Sequence, residues 1–241
     1  MGGGTVTNAN NEYKKGMVVG FVGFIGSGKD TAADYLVNFH GFRRDSFANT
    51  LKDAVAAVFG WDRELLEGRT KEARAWREEV DTWWAERLGM PTLTPRWVLQ
   101  YWGTEVCRQG FHDDTWIASL ENRVRKTKDD IVISDVRFPN EIKAIHNAGG
   151  QVVRIKRGPE PDWYQSALDY NKGPNGNMGW ATGRRQLESL NIHASETAWV
   201  GGDIDTIISN DGTIDELFSQ LQNLLPNNQL PLEVRVALDL I

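Results

Sequence analysis

Between Met17 and Phe24 the chain reads MVVGFVGF, without one polar side chain. An unbroken run with β-branched members suits a central strand covered on both faces, since a half-solvated strand would alternate. IVIS at 131–134 and QVVRI at 151–155 have the same character, and TIIS at 206–209 runs into Asn210-Asp211-Gly212, a turn signal. Between these runs the spacing becomes helical. The first helix is expected at 31–39, and FANTLKDAVAAVFG at 47–60 places Leu51, Val55 and Val58 or Phe59 at helical spacing before Gly60. Thr213 and Glu216 form a T-x-x-E capping box ahead of Leu217, Phe218 and Leu221. Strand and helix in alternation predict an α/β fold whose parallel sheet is linked by right-handed crossovers.

Two stretches read differently. Trp76, Val80, Trp83, Trp84 and Leu88 recur near helical spacing amid charges, which predicts an amphipathic helix within 61–89, packing its aromatics on the core. From 159 to 183 the chain turns irregular around NKGPNGNMG, and a mobile loop is expected.

Length and charge narrow the classes. At 241 residues one domain with insertions is expected: a leader at 1–16, rich in Gly, Asn and Thr and expected to be disordered, then a single domain over 17–241. The net charge of -6 argues against a broad nucleic-acid-binding face, which would neutralise many phosphates with Lys and Arg. The lone Cys107 cannot close an internal disulfide and no Cys/His cluster offers zinc ligands, so a reducing, cytoplasmic setting fits best. No signal peptide and no apolar run of about 18 residues is present, so no membrane association is expected.

The chemistry starts at Gly23-Phe24-Ile25-Gly26-Ser27-Gly28-Lys29-Asp30-Thr31, which follows the first strand directly and opens a helix. That is the context a phosphate-binding loop requires: glycines turn successive N–H groups inward around a phosphate, and the helix N-terminus adds positive dipole. Lys29 would reach the β- and γ-phosphates of ATP. Asp30 stands where the pattern normally has a magnesium-binding hydroxyl. It could hold magnesium through water or cap the helix, while Thr31 still offers a hydroxyl.

Asp135 ends the IVIS strand, on the sheet edge where ligands bind in open parallel sheets. Should that strand neighbour the first, Asp135 faces the loop and could hold Mg2+ through water or accept the acceptor's proton, and Arg137 could grip a phosphate in bidentate fashion.

Five blocks then resemble, in order, the deoxynucleoside monophosphate kinases of tailed bacteriophages: G-S-G-K-D-T from Gly26, F-A-x-x-L-K-D-A from Phe47, L-Q-x-x-G-T-E from Leu99, S-D-V-R-F-P-N-E from Ser134, and H-A-S-E from His193 leading to I-S-N-D-G-T-I-D-E-L-F. The resemblance covers 17 to about 225. It implies a P-loop NTPase three-layer fold with a central parallel sheet of about five strands, a helical acceptor-binding insertion at about 61–125 and a lid-like loop at about 157–196. It implies transfer of the γ-phosphoryl of ATP to a dNMP, with magnesium, in a homodimer, in the host cytoplasm if the chain is phage-encoded.

By the same resemblance, Lys52 meets the acceptor phosphate, and Arg96 and Gln100 read the base or that phosphate. Glu105 and Arg108 are acceptor contacts or an i, i+3 ion pair with each other. Arg154, Arg157, Arg184 and Arg185 are lid arginines, Gly26 to Thr31 with Asn210 and Gly212 hold ATP, and the Asn210 turn lies over adenine. His193 and Glu196 match H-x-x-E without an evident chemistry. Lys29, Arg137 and magnesium would form the electrostatic clamp, organised by Asp135. Two alternatives remain: a kinase of another phosphorylated acceptor, of the dephospho-coenzyme A or phosphomevalonate type, and a non-catalytic nucleotide-binding module.

Overall fold

The structure, a computed structural model, describes residues 16–175, 177–192 and 194–226. Most of the expected leader and the end of the expected domain lie outside the described residues, as does His193. Five parallel strands form one sheet in the order β2-β3-β1-β4-β5: β1 is Val18–Val22, β2 Arg43–Asp45, β3 Ile131–Ile133, β4 Gln151–Lys156 and β5 Thr206–Ser209. All five residues of β1 are buried, as an unbroken apolar run in the middle of a sheet should be. β3 and β4 flank it, with Gly20 opposite Ile133 and Val22 opposite Arg154.

Helices cover both faces. On one, α1 (Lys29–His40) and α12 (Ile214–Gln222) pack Ala33, Leu36, Leu217 and Leu221 against Val19, Phe21 and Ile155. On the other, α7 (Thr115–Val124) and α8 (Pro139–Asn147) bring Ile117, Leu120, Ile142 and Ile145 onto Val18, Val22 and Ile131. The approach of α8 is close: a Cβ on Gly20 would come within 2.2 Å of Ile145 Cδ1, so a larger residue there would displace that side chain. These two layers around the sheet make the expected three-layer α/β fold.

A third apolar cluster spans α2 (Asn49–Phe59) and the stretch expected to be a helical insertion, which holds α3 (Arg63–Glu67), α4 (Lys71–Trp76), α5 (Thr82–Leu88), α6 (Pro95–Tyr101) and a wider π-helical stretch, Trp102–Gln109. Where one helix is expected within 61–89, three short ones form. Asp62, Thr70 and Asp81 each accept backbone N–H groups as caps, and Gly68, at φ 69°, ends α3. Of the expected stripe, Trp76 and Trp84 pack on the third cluster, where Phe59 stacks on Trp61 and touches Trp84 and Trp102, whereas Val80, Trp83 and Leu88 are exposed, Trp83 at 62%.

The stretch expected to be an irregular loop also folds into helices: α9 (Tyr164–Asn171) and α10 (Trp180–Ser189) pack as a hairpin, followed by α11 (Ala194–Thr197). Contact between them is tight because Gly183 has no side chain; a Cβ there would meet the Ser166 carbonyl oxygen at 2.4 Å. The Thr213 and Glu216 capping box forms as the sequence predicts, with Thr213 N donating to Glu216 Oε2 at 2.8 Å and Glu216 N to Thr213 Oγ1 at 3.3 Å. No helix among the described residues is long and apolar enough to cross a membrane.

Candidate active site

The loop at 23–31 leaves the carboxyl end of β1 and turns into α1 through three glycines of positive φ, Gly23, Gly26 and Gly28. A Cβ on Gly23, at φ 145°, would lie 2.4 Å from the Ile155 carbonyl oxygen, and one on Gly28, at φ 100°, 2.3 Å from Asn210 Nδ2. That amide donates to Ser27 O at 2.8 Å, so the turn after β5 is clasped onto the loop. Lys29 reaches back over the turn, donating to Gly23 O at 2.7 Å and Phe24 O at 2.8 Å. Burial pushes its ammonium below the usual lysine value; Arg137 acts in the same sense, and Asp30 and Glu196 oppose it.

A cavity of about 460 Å³ opens over this turn, lined by Gly26, Gly28, Lys29, Asp30, Thr31, Arg157, Asn210, Gly212 and Ile214. The sequence singled out eight of these nine, missing Ile214. Ser27, 4% exposed, lies beneath the turn. Asp30 does not cap α1, whose cap residue is Gly28 with no side-chain hydrogen bond. Its carboxylate instead accepts from Ser134 Oγ at 3.1 Å and lies 3.6 Å from Arg44, leaning toward β2 and β3.

Because β3 neighbours β1, Asp135 arrives beside the loop, as anticipated. Its Oδ2 accepts from Ser46 Oγ at 2.7 Å, while its Oδ1 is buried with no hydrogen-bond partner. Burial raises the carboxyl above its ordinary value, and Ser46, Lys52 and Arg137 pull the other way. An unpartnered buried oxygen is costly.

Glu141 lies behind Asp135, and the sequence did not single it out. It is 4% exposed; its Oε2 accepts the N–H groups of Arg137 at 2.8 Å and Phe138 at 3.2 Å, fixing the turn that presents Arg137. Burial first, then the neighbouring Asp135, push its carboxyl up to about 7. Its position, two residues after Pro139 at the start of α8, marks it in sequence as a helix-start carboxylate and nothing more.

The acceptor-side residues divide. Lys52 is close enough to act on Asp135 but is bound to Glu67 Oε1 at 2.9 Å, and Arg63 NH1 holds Glu67 Oε2 at 2.7 Å. Despite its burial, these two cations hold the Glu67 carboxyl down to about 2. Arg108 turns away from the expected partner Glu105 and sits 3.7 Å from Glu141 Oε1 and 5.6 Å from the centre of the Phe138 ring. Arg96 pairs with Glu78 at 3.2 Å, and Gln100 and Glu105 are exposed.

The buried Asp45 and the half-buried Arg123 form a pair unforeseen from sequence. Arg123 grips the Asp45 carboxylate with Nε at 3.1 Å and NH2 at 2.9 Å, and NH2 also reaches Ser46 O at 2.9 Å, so this fork orients the serine that serves Asp135.

The four arginines expected of a lid also separate. Arg157 lines the cavity. Arg184 and Arg185 are exposed on α10, the first paired with Glu188 at 2.8 Å. Arg154 is inside β4 and 5% exposed. Arg137 NH1 donates to Ser195 Oγ at 3.4 Å, and Glu196 acts on Lys29, so α11 closes the site opposite α8.

No protein-family model matches the chain. A protein of Acanthamoeba polyphaga mimivirus, provisionally named deoxynucleotide monophosphate kinase, is 34% identical over 227 residues, 88% of this chain and 97% of its own. The deoxynucleoside-5'-monophosphate kinase of Escherichia phage T5 is 29% identical over 174 residues, 52% of this chain and 70% of its own. Among solved structures, a dephospho-CoA kinase from Campylobacter jejuni aligns over 86% of this chain and 94% of its own, at 13% identity and a TM-score of 0.35, too loose a likeness to inform function.

Proposed function

The chain belongs to the deoxynucleoside monophosphate kinase family, and on that premise we propose that it transfers the γ-phosphoryl of ATP to a dNMP, giving a dNDP and ADP. The observation that supports this reading is the glycine-lined cavity over Lys29, at the end of the strand next to the one whose carboxyl end runs into Asp135 and Arg137.

ATP would place its phosphates on the turn at 26–31, with Lys29 exchanging its two carbonyl partners for β- and γ-phosphate oxygens. Asn210 and Gly212 would bound the adenine side and Arg157 the phosphate side. Mg2+ fits the residues present: Thr31 lines the cavity and Asp135 Oδ1 has no partner, so these two would hold the ion, chiefly through water, and it would neutralise charge on the triphosphate.

The acceptor phosphate would lie against Arg137, Lys52 and Arg108, with Arg96, Gln100 and Glu105 farther out on the insertion. An oxygen of that phosphate attacks the γ-phosphorus; a new O–P bond forms as the bond to the β-phosphate oxygen breaks, and ADP leaves. Alignment and charge stabilisation are the protein's contribution, and no protein nucleophile is needed. Arg184 and Arg185 would enter only if the α9–α10 hairpin closes. A homodimer acting in the cytoplasm belongs to the same proposal, supported by the resemblance of the motif blocks.

A coupled assay of ADP release with dTMP, dGMP, dCMP and dAMP in magnesium-ATP, with product identified by chromatography, tests the reading. We expect a dNDP from at least one acceptor. ATP hydrolysis without any dNDP would remove it, and turnover with dephospho-coenzyme A instead would favour the other acceptor class.

A further inference from the structure

Arg154 occupies an unusual place for a residue expected on a lid. It pairs in register with Val22, the last residue of β1 before the phosphate loop. Its NH2 donates to Glu160 Oε2 at 2.6 Å and its NH1 to Tyr164 OH at 3.1 Å. Three aromatic faces surround the guanidinium, with Phe24 at 5.6 Å, Tyr164 at 5.1 Å and Trp199 at 5.0 Å from its centre. The Phe24 ring itself meets Trp163 at 5.2 Å, edge-on, and Trp199 at 4.9 Å.

Phe24 belongs to the phosphate loop, and its carbonyl accepts both from Lys29 Nζ at 2.8 Å and from Ser27 N at 3.1 Å. The residue whose ring is caged by the hairpin side of the molecule is therefore the one whose main chain sets the turn and parks the lysine. Glu160 and Tyr164 enter from the start of the hairpin, Trp199 from just after α11. Arg154 is the charged centre on which these segments and the loop converge.

We propose that Arg154 is a positioning residue that ties the α9–α10 hairpin to the phosphate loop through Phe24, so that nucleotide affinity depends on it although it does not line the cavity. This rests on the reading of the cavity as the ATP site. Simple structural need is a weak explanation for the charge, because well-packed apolar replacements of buried ion pairs are often neutral for stability. Glu160, 32% exposed, would regain water if its partner were lost.

The test compares wild type with Arg154→Met, Arg154→Lys and Glu160→Gln. For each, the dissociation constant for magnesium with AMP-PNP is measured by calorimetry, the Michaelis constant for the fastest dNMP by the coupled assay, and Tm by calorimetric scanning. Losing a contact the size of one partly desolvated cation–π interaction corresponds to roughly a fivefold or greater weakening of AMP-PNP binding in Arg154→Met. The dNMP constant should change by less than about twofold, and Arg154→Lys should recover part of the affinity, since an ammonium keeps the charge but not the fork. Should Arg154→Met fail to fold, Glu160→Gln carries the same expectation at smaller amplitude. Folded variants that bind AMP-PNP like wild type, or that weaken for both nucleotides alike, would overturn the coupling. Failure of wild type to bind AMP-PNP would overturn the cavity assignment and the coupling together.

Discussion

Glu141→Gln is the substitution whose consequence can be worked furthest. The glutamate is 4% exposed, and its carboxyl is raised from 4.5 to about 7, by burial first and by Asp135 second, with the N–H groups of Arg137 and Phe138 and the charge of Arg108 opposing. A carboxyl that binds its proton more tightly in the folded than in the unfolded chain stabilises fully below the unfolded value, and that stability is lost as pH rises through about 7. At about 1.4 kcal/mol per tenfold change in proton affinity, the interval from 4.5 to about 7 amounts to roughly 3 kcal/mol. Glutamine has the same shape, and its carbonyl oxygen can still accept from Arg137 and Phe138, but it does not titrate. Urea unfolding of both proteins at pH 5, 6, 7 and 8 in EDTA should therefore show the variant gaining on wild type by roughly 2–3 kcal/mol across the range. Parallel pH profiles for the two proteins would refute the account of this buried carboxyl.

Lys29→Ala should cut phosphoryl transfer by at least about 100-fold, while Tm moves only a few degrees, since the lysine stabilises bound phosphates rather than the core; the coupled assay and calorimetric scanning check the two halves. Arg123→Met leaves the Asp45 carboxylate, 4% exposed, without its fork and should cost roughly 3–5 kcal/mol in urea unfolding, with Asp45→Asn added to Arg123→Met recovering part of the loss. Gly28→Ala forces a Cβ into a φ of 100° and onto Asn210 Nδ2, and nucleotide titration should show affinity falling about tenfold or more.

The fold was most legible where one physical signal dominated. The buried run of β1 and the T-x-x-E cap of α12 each follow from a local pattern that tertiary contacts reinforce. β2 was not read from a run of its own because Arg43-Arg44-Asp45, at the sheet edge, carries no apolar signal; β3 alone pairs with it among the described strands. The single helix expected within 61–89 broke into three because caps at Asp62, Thr70 and Asp81 outweigh the periodicity of the tryptophans. The hairpin of α9 and α10 was hidden by its Gly- and Asn-rich connection, whose composition reads as loop although both flanks are helical.

For the site, the loop was readable because its backbone takes positive φ at Gly23, Gly26 and Gly28, and the Asn210 turn because Asn-Asp-Gly is itself a turn signal. Ser46 and the pair of Asp45 with Arg123 were not, since they depend on residues 89 and 78 positions away that only the fold brings together, and Glu141, whose backbone partners are three and four positions away, was not because its burial beside Asp135 is a property of the fold. Arg154 was read as basic where its burial matters more, and burial is a property of the fold rather than of the residue.

The ATP and acceptor sites proposed on either side of Lys29 and Asp135 should bind, as one molecule, an adenosine joined to a deoxynucleoside through five phosphates. Calorimetric titration of such a compound with magnesium, using the deoxynucleoside of the preferred acceptor, measures that adjacency directly. It should bind roughly 100-fold or more tightly than ADP and compete with both substrates in the steady state. Binding no tighter than ADP, with inhibition that does not compete against the dNMP, would contradict the paired sites.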